Sequence, residues 1–170
     1  MTLRQSLQWF DRINEMFGRA MAWLVVALTV IVFYDVCMRF LFRAGSTALQ
    51  ELEWHIFALI FLLGAASTYR INGHVRVEVL YQKFSPRMQL WVNTLGDLFI
   101  LLPLCFVIIN SSLPFVEAAW SYGESSPDPG GLPWRWLIKA AIPAGFVLLA
   151  LQALFNIAAN VGKLMNGHED

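Results

Sequence analysis

Charged residues are scarce in this 170-residue chain. They make up 14% of it, against about 25% in an ordinary soluble domain. Twelve Lys and Arg balance twelve Asp and Glu, so the chain lacks the basic excess with which proteins neutralise the phosphates of nucleic acids. The composition therefore excludes nucleic acid from the expected partners.

Cysteine and histidine are also rare. Cys37 and Cys105 both lie in strongly apolar runs, which is typical of small buried hydrophobes and not of a disulfide framework or a cysteine-rich metal site. The histidines are His55, His74 and His168, and no two of them fall in different apolar segments. A haem held between histidines of facing membrane helices is therefore not expected, and neither is any other cofactor.

The sequence also shows no nucleophilic serine paired with a general base. Ser111 and Ser112 have no His or Lys near them in sequence, and hydroxyls in membrane helices usually bond a carbonyl of the preceding turn. We therefore do not expect an enzyme.

Hydrophobic residues are abundant and make up 58% of the chain. A membrane-spanning helix needs about 20 mostly apolar residues, and four segments reach this length, at about 20–42, 50–70, 89–117 and 135–160. Because backbone in lipid must satisfy its own hydrogen bonds, such segments are helices. The sequence predicts an all-α integral membrane protein with four transmembrane helices and amphipathic interfacial helices.

The segments outside the spans complete the predicted organisation. Residues 1–19 place Leu3, Leu7, Phe10 and Phe17 at helical spacing among charged residues, which predicts an amphipathic interfacial segment, with a solvated tail as the alternative. This leader does not resemble a cleaved signal peptide, so we expect the first span to be retained. One four-helix transmembrane domain is expected over 20–163, followed by a cytoplasmic tail over 164–170.

Two of the connections also carry a pattern. In the second, Val77, Leu80, Tyr81 and Phe84 recur at helical spacing, which predicts a short interfacial helix. The third, over 121–133, is rich in Gly, Pro and Ser, and we expect an irregular loop there.

The distribution of cations predicts the orientation, since Lys and Arg accumulate in the cytoplasmic loops of membrane proteins. Eight of the twelve Lys and Arg residues lie in the leader, the second connection and the tail, which share one side of the membrane: Arg4, Arg12, Arg19, Arg70, Arg76, Lys83, Arg87 and Lys163. The other four are Arg39, Arg43, Arg135 and Lys139. We therefore expect both termini to be cytoplasmic.

Ionisable residues inside the spans are the candidate functional residues, because a charge at membrane depth normally faces protein and is paired. Asp35 and Arg39 are four residues apart, in the favourable order for an ion pair on one helix face. Glu51 and His55 share a face of the next helix at the same membrane level, while Glu53 points away from them. The sequence leaves open a structural or partner-interface role for this polar cluster and a role in proton or ion coupling.

Several motifs together resemble the small membrane subunit of tripartite ATP-independent periplasmic (TRAP) transporters. They are Arg39-Phe40-Leu41-Phe42, Gln50-Glu51-Leu52-Glu53-Trp54, Leu63-Gly64-Ala65-Ala66 and the run from Tyr69 to Glu78, in matching order over nearly the whole chain. Glu78 stands where family members often have Asp. The segment from Glu124 to Pro133 resembles a subgroup labelled for mannitol or chloroaromatic compounds, but such labels transfer poorly between members and leave the solute open.

The resemblance implies a scaffold subunit of a sodium-driven uptake system for organic acids or related solutes in the bacterial inner membrane. Its implied partners are a large transmembrane subunit that holds the solute and sodium sites, a periplasmic solute-binding protein and membrane lipids. Arg70, His74, Arg76 and Glu78 would form a cytoplasmic interfacial motif. Glu124 and Asp128 make the third loop acidic, and this loop is either a docking site for the binding protein or a plain connection. The alternatives are a membrane anchor or assembly subunit of a redox enzyme and a free-standing small exporter.

Overall fold

The structure, a computed structural model, describes residues 3–70, 81 and 83–165, with side chains from Glu15 onward. These residues form helices and no strand. The α-helices are α1 (Leu3–Leu41), α2 (Thr47–Arg70), α3 (Pro86–Gly96), α4 (Leu102–Ser121) and α5 (Trp136–Met165), and a π-helical turn over Asp97–Leu101 joins α3 to α4.

Four stretches of these helices are long and apolar enough to cross a membrane: Glu15–Leu41, Thr47–Arg70, Pro86–Ser121 and Trp136–Met165. The predicted fold class, an all-α protein with four transmembrane helices, is therefore confirmed. Helix α1 continues without a break past residue 19, so the leader and the first span are one helix. The interfacial position of 1–19 stays a prediction. The predicted interfacial helix around Val77 falls largely on 71–80 and 82, outside the described residues.

A tight connection turns the chain from α1 into α2. Arg43 adopts a left-handed backbone conformation with φ of 54°. The N–H of Ala44 then donates a hydrogen bond to the carbonyl of Met38 over 3.1 Å. The Ser46 hydroxyl then accepts a hydrogen bond from the N–H of Leu49 over 3.4 Å, which satisfies one of the open donors at the start of α2. These local bonds make α1 and α2 an antiparallel hairpin.

The π-helical turn lies directly before a proline. Pro103 has no N–H to donate to the carbonyl of Phe99, and its ring would crowd that carbonyl in a regular α-helix. The chain widens here, and the N–H of Leu102 reaches the carbonyl of Asp97, five residues back. Pro114 and Pro143 lie inside α4 and α5 without ending them. The third span therefore changes pitch next to Asp97.

The helices pack in the order α1, α2, α5 and α4, with α3 and the π turn also against α5. Small residues set the distances between them. A Cβ on Gly145 of α5 would lie 2.5 Å from the carbonyl oxygen of Leu62 on α2, and one on Gly18 of α1 would lie 2.5 Å from the hydroxyl of Ser67 on α2. The backbones thus approach as closely as the small-residue packing of membrane helices allows.

This packing order makes an open row of helices. Large apolar side chains are exposed on its faces, among them Trp23, Phe33, Phe61, Phe99 and Phe106. The buried side chains instead include the carboxylates of Asp35, Glu51 and Asp97. In lipid, exposed apolar surface is not driven together as it is in water, so the row can leave both faces to lipid or to a partner.

Candidate functional site

The candidate site lies where α1 ends, α2 and α5 begin and the 122–135 loop joins α4 to α5; we call this the loop end. Its central residue is Glu51, whose side chain is only 6% exposed. The carboxylate oxygen Oε1 accepts a hydrogen bond from the Ser126 hydroxyl over 2.5 Å and one from Nη2 of Arg135 over 3.1 Å. The other oxygen, Oε2, accepts from the N–H of Leu132 over 2.6 Å. Glu51 therefore ties the first turns of α2 to the loop.

The loop folds tightly around this carboxylate. The N–H of Ser126 donates to the carbonyl of Leu132 over 3.0 Å, and the N–H of Gly131 donates to the carbonyl of Asp128 over 3.0 Å. A Cβ at Gly131 would collide with the Ser126 hydroxyl and lie 2.8 Å from Oε2 of Glu51. Only glycine leaves room for the carboxylate at this position.

A second ion pair fastens the loop to α5. The ammonium of Lys139 donates a hydrogen bond to Oε2 of Glu124, and it lies 3.9 Å from the centre of the Phe115 ring on α4. A cation over an aromatic face is attracted by the ring's electron density. The N–H of Arg135 also donates to the carbonyl of Glu124 over 3.0 Å. The first part of the loop, at Glu124, is thus bonded to the last loop residue and to the first turn of α5.

Aromatic rings line the outside of the Glu51 centre. The Arg135 guanidinium lies 5.8 Å from the ring centre of Trp54, which packs against the His55 ring at 3.8 Å. Nδ1 of His55 lies 2.5 Å from the carbonyl oxygen of Glu51, so this nitrogen carries the proton and donates. The histidine is held by its own helix and by Trp54.

Asp35 and Arg39 form a separate ion pair on α1. The Asp35 side chain is 2% exposed and that of Arg39 is 46% exposed. Oδ1 of Asp35 and Oε1 of Glu53 are buried without a hydrogen-bond partner among the described residues. The arginine therefore reaches from a buried carboxylate toward the surface of the row.

The structure thus divides the predicted polar cluster into two centres. The expected pair of Asp35 and Arg39 is present, and Glu51 and His55 share a face of α2 as expected. The cation that pairs with Glu51 is Arg135, at the end of the third connection. Sequence reasoning assigned Arg135 to the same membrane level but did not pair it with Glu51, and nothing in the sequence singled out Ser126 or Leu132.

At the opposite end, Arg70 closes α2 and lines a cavity, with its Nε buried and without a hydrogen-bond partner. The Tyr69 hydroxyl donates to Oδ1 of Asp97 beside it. His74, Arg76 and Glu78 of the predicted interfacial motif fall outside the described residues. Glu124 and Asp128 both lie on the loop, Glu124 paired with Lys139 and Asp128 exposed.

The chemistry of the loop end is that of an ionic lock. The carboxylates of Glu51 and Glu124 face cations and N–H groups. In the part of the chain that the structure describes, no three His, Cys, Asp or Glu side chains are placed to hold a metal ion. Both cysteines are free thiols. The arrangement fixes the shape of a loop that follows a membrane helix.

Comparison with known proteins identifies the family to which this chain belongs. The family model described as "Tripartite ATP-independent periplasmic transporters, DctQ component" matches 28–162. A TRAP transporter small permease protein of Haemophilus influenzae is 27% identical over 128 residues, which cover 75% of this chain and 77% of that protein. The C4-dicarboxylate TRAP transporter small permease protein DctQ of Vibrio cholerae is 25% identical over an alignment covering 95% of this chain and 81% of that protein. With four membrane-spanning helices and a family match over most of its length, the chain belongs to the DctQ family of small membrane subunits of TRAP transporters.

Proposed function

We propose that this chain is the scaffold subunit of a sodium-coupled, binding-protein-dependent secondary transporter that imports an organic acid or a related small solute. The family match over 28–162 carries the proposal, because the family belongs to transporters that also contain a large membrane subunit and a periplasmic binding protein. The name of the V. cholerae relative specifies C4-dicarboxylates, which supports an organic acid as the solute class. Family membership does not favour the redox-enzyme anchor.

The open row of helices supports a scaffold role. Its faces carry large exposed apolar side chains, and a surface of this kind suits contact with lipid and with a second membrane protein. In this proposal the chain lies in the bacterial inner membrane with both termini in the cytoplasm, as the cation asymmetry predicts. The loop end then faces the periplasm.

Arg39 and Glu53 are the proposed contacts to the large subunit. Arg39 is half exposed next to buried Asp35, and Glu53 lies on the side of α2 away from Glu51. A partner that supplies a carboxylate to Arg39 and a donor to the accessible part of the half-buried Glu53 side chain would pair both groups. Glu53→Ala should therefore release the large subunit while this chain stays folded, whereas Gln50→Ala, at an exposed position one turn away, should not.

Asp128 is the proposed docking contact for the binding protein. Its side chain is exposed on a loop that the Glu51 lock holds in one shape, and a fixed acidic group can steer a partner of opposite charge. Glu124 plays a different part, because its carboxylate is engaged by Lys139. Asp128→Asn should slow uptake at low binding-protein concentration without loss of the assembled membrane complex. Glu117→Gln, at an exposed acid on α4 outside the loop, is the matched control.

Reconstitution tests the proposal as a whole. The tagged chain is purified in mild detergent together with its large subunit, and uptake of a radiolabelled C4-dicarboxylate is measured in vesicles with and without a sodium gradient. We expect uptake only from the complete complex with its binding protein. Sodium-dependent uptake by this chain alone would refute the scaffold role, and full uptake by the large subunit without this chain would refute it as well.

A further inference from the structure

A polar cavity of about 250 Å³ opens between the ends of α2, α3 and α5, opposite the loop end. Its walls include Tyr69, Arg70, Asp97, Asn156, Asn160 and Lys163. A water molecule occupies about 30 Å³ in the liquid, so the cavity has room for a small polar group with several waters. Its lining is mostly polar, whereas many large apolar side chains are exposed elsewhere on the chain.

Two cations line this cavity without a carboxylate of their own. No salt bridge joins Arg70 or Lys163 to another residue in the described parts of the chain, and Nε of Arg70 is buried with no hydrogen-bond partner. The one carboxylate in the described walls, Asp97, accepts a hydrogen bond from the Tyr69 hydroxyl. The described lining therefore carries a net charge of about +1. An arginine side chain in such a half-buried place is costly unless acceptors bond its N–H groups.

Amide groups add further donors. Oδ1 of Asn156 accepts a hydrogen bond from Gln152 over 2.9 Å, so the NH₂ group of Asn156 remains as a donor. Asn160 lies one turn further along the same helix and also lines the cavity. A planar guanidinium, an ammonium and amide donors together match the oxygens of a phosphate group.

The position of the cavity suits the same ligand. Arg70 is the last residue of α2 and Lys163 lies in the last turn of α5, so both cations stand where spanning helices end and lipid headgroups begin. Basic pockets between transmembrane helices on the cytoplasmic side are typical binding places for anionic headgroups. We propose that this cavity binds the phosphate group of an anionic ligand, carried either by a phospholipid headgroup or by free phosphate. This inference rests on the proposed orientation but not on the transport function.

Calorimetric titration of the purified full-length chain in an uncharged detergent tests the proposal. The probes are dioctanoyl phosphatidylglycerol and sodium phosphate, each titrated into the unmodified chain, Arg70→Gln, Lys163→Gln and the double variant. One cation near a membrane surface contributes about five-fold to the binding of an anion, so we expect each single variant to raise Kd about five-fold and the double variant about 25-fold. Arg70→Lys keeps the charge but not the planar guanidinium, so it should bind more tightly than Arg70→Gln and less tightly than the unmodified chain. This intermediate affinity separates a loss of binding from misfolding.

Arg87→Gln is the matched control, because this exposed cation lies on α3 at the same end but does not line the cavity. Its affinity for either probe should equal that of the unmodified chain. Binding of phosphatidylglycerol that depends on Arg70 and Lys163 identifies a lipid headgroup, and phosphate binding with the same dependence and no lipid binding identifies the free anion. The proposal is overturned if neither probe binds, if the double variant binds both as well as the unmodified chain, or if Arg87→Gln weakens binding equally.

Discussion

The carboxylate of Glu51 accepts a hydrogen bond from the N–H of Leu132 over 2.6 Å, across 81 positions of the chain. This bond, with those from Ser126 and Arg135 to the same carboxylate, makes the shape of the 122–135 loop depend on one residue near the start of α2. Because Glu51 is buried, its removal leaves donors unpaired in a place that water hardly reaches. The loop and the helix pair should therefore lose stability together.

Glu51→Ala is the first test of this lock. Removing one member of a buried ion pair typically costs about 3–5 kcal/mol, and the partial exposure of Arg135, 24% for its side chain, puts the expected loss at the lower end of that range. Thermal unfolding of the purified chain in detergent measures it, with Glu117→Ala as a control at an exposed acid. Unchanged stability of Glu51→Ala would mean that the loop does not need the lock.

Arg39→Ala should destabilise the chain by about 1–3 kcal/mol, because it leaves the buried carboxylate of Asp35 without its cation, while Arg39 itself is half exposed. Adding Asp35→Asn should restore part of the loss. The matched control is Arg19→Ala, since Arg19 pairs with Glu15 at the same spacing on the same helix. In that pair the carboxylate side chain is 47% exposed, against 2% for Asp35. That change should cost about 0–1 kcal/mol. Equal effects of Arg39→Ala and Arg19→Ala in thermal unfolding would contradict the burial argument.

Gly145→Ala tests the close approach of α2 and α5. Alanine is the better helix former by about 1 kcal/mol, yet its Cβ would lie 2.5 Å from the Leu62 carbonyl oxygen, so we expect a net loss of about 1–3 kcal/mol. Gly162→Ala on the same helix meets nothing within 4 Å and should be neutral or stabilising. A stabilised Gly145→Ala variant would show that the helices are further apart.

Topology is tested by thiol labelling. Cys37 and Cys105 are first replaced by alanine, and a single cysteine is then introduced at Ser125 or at Ser85. Both serines are exposed in the structure, so a difference in labelling reports on the side of the membrane and not on burial. In intact cells an impermeant maleimide should label position 125 and not position 85, because the cation asymmetry assigns Ser125 to the periplasm. The opposite labelling pattern would invert the proposed orientation.

The length of the apolar segments and the local spacing of residues determined the four helices and one of the ion pairs of this protein. Four apolar segments were enough to identify four spanning helices, since a helix is the structure that satisfies its own backbone in lipid. The pair of Asp35 and Arg39 followed from spacing alone, because residues four apart on a helix are neighbours.

Tertiary structure decided what lies between the helices. Glu51 and Arg135 are 84 positions apart, and no local pattern states which of several facing cations a carboxylate will meet. The order of packing, the collision that keeps Gly145 free of a side chain and the cavity at Arg70 depend on how the helices approach one another. In a membrane these contacts come from close packing and internal polar bonds, which are properties of helix pairs that one helix sequence does not contain.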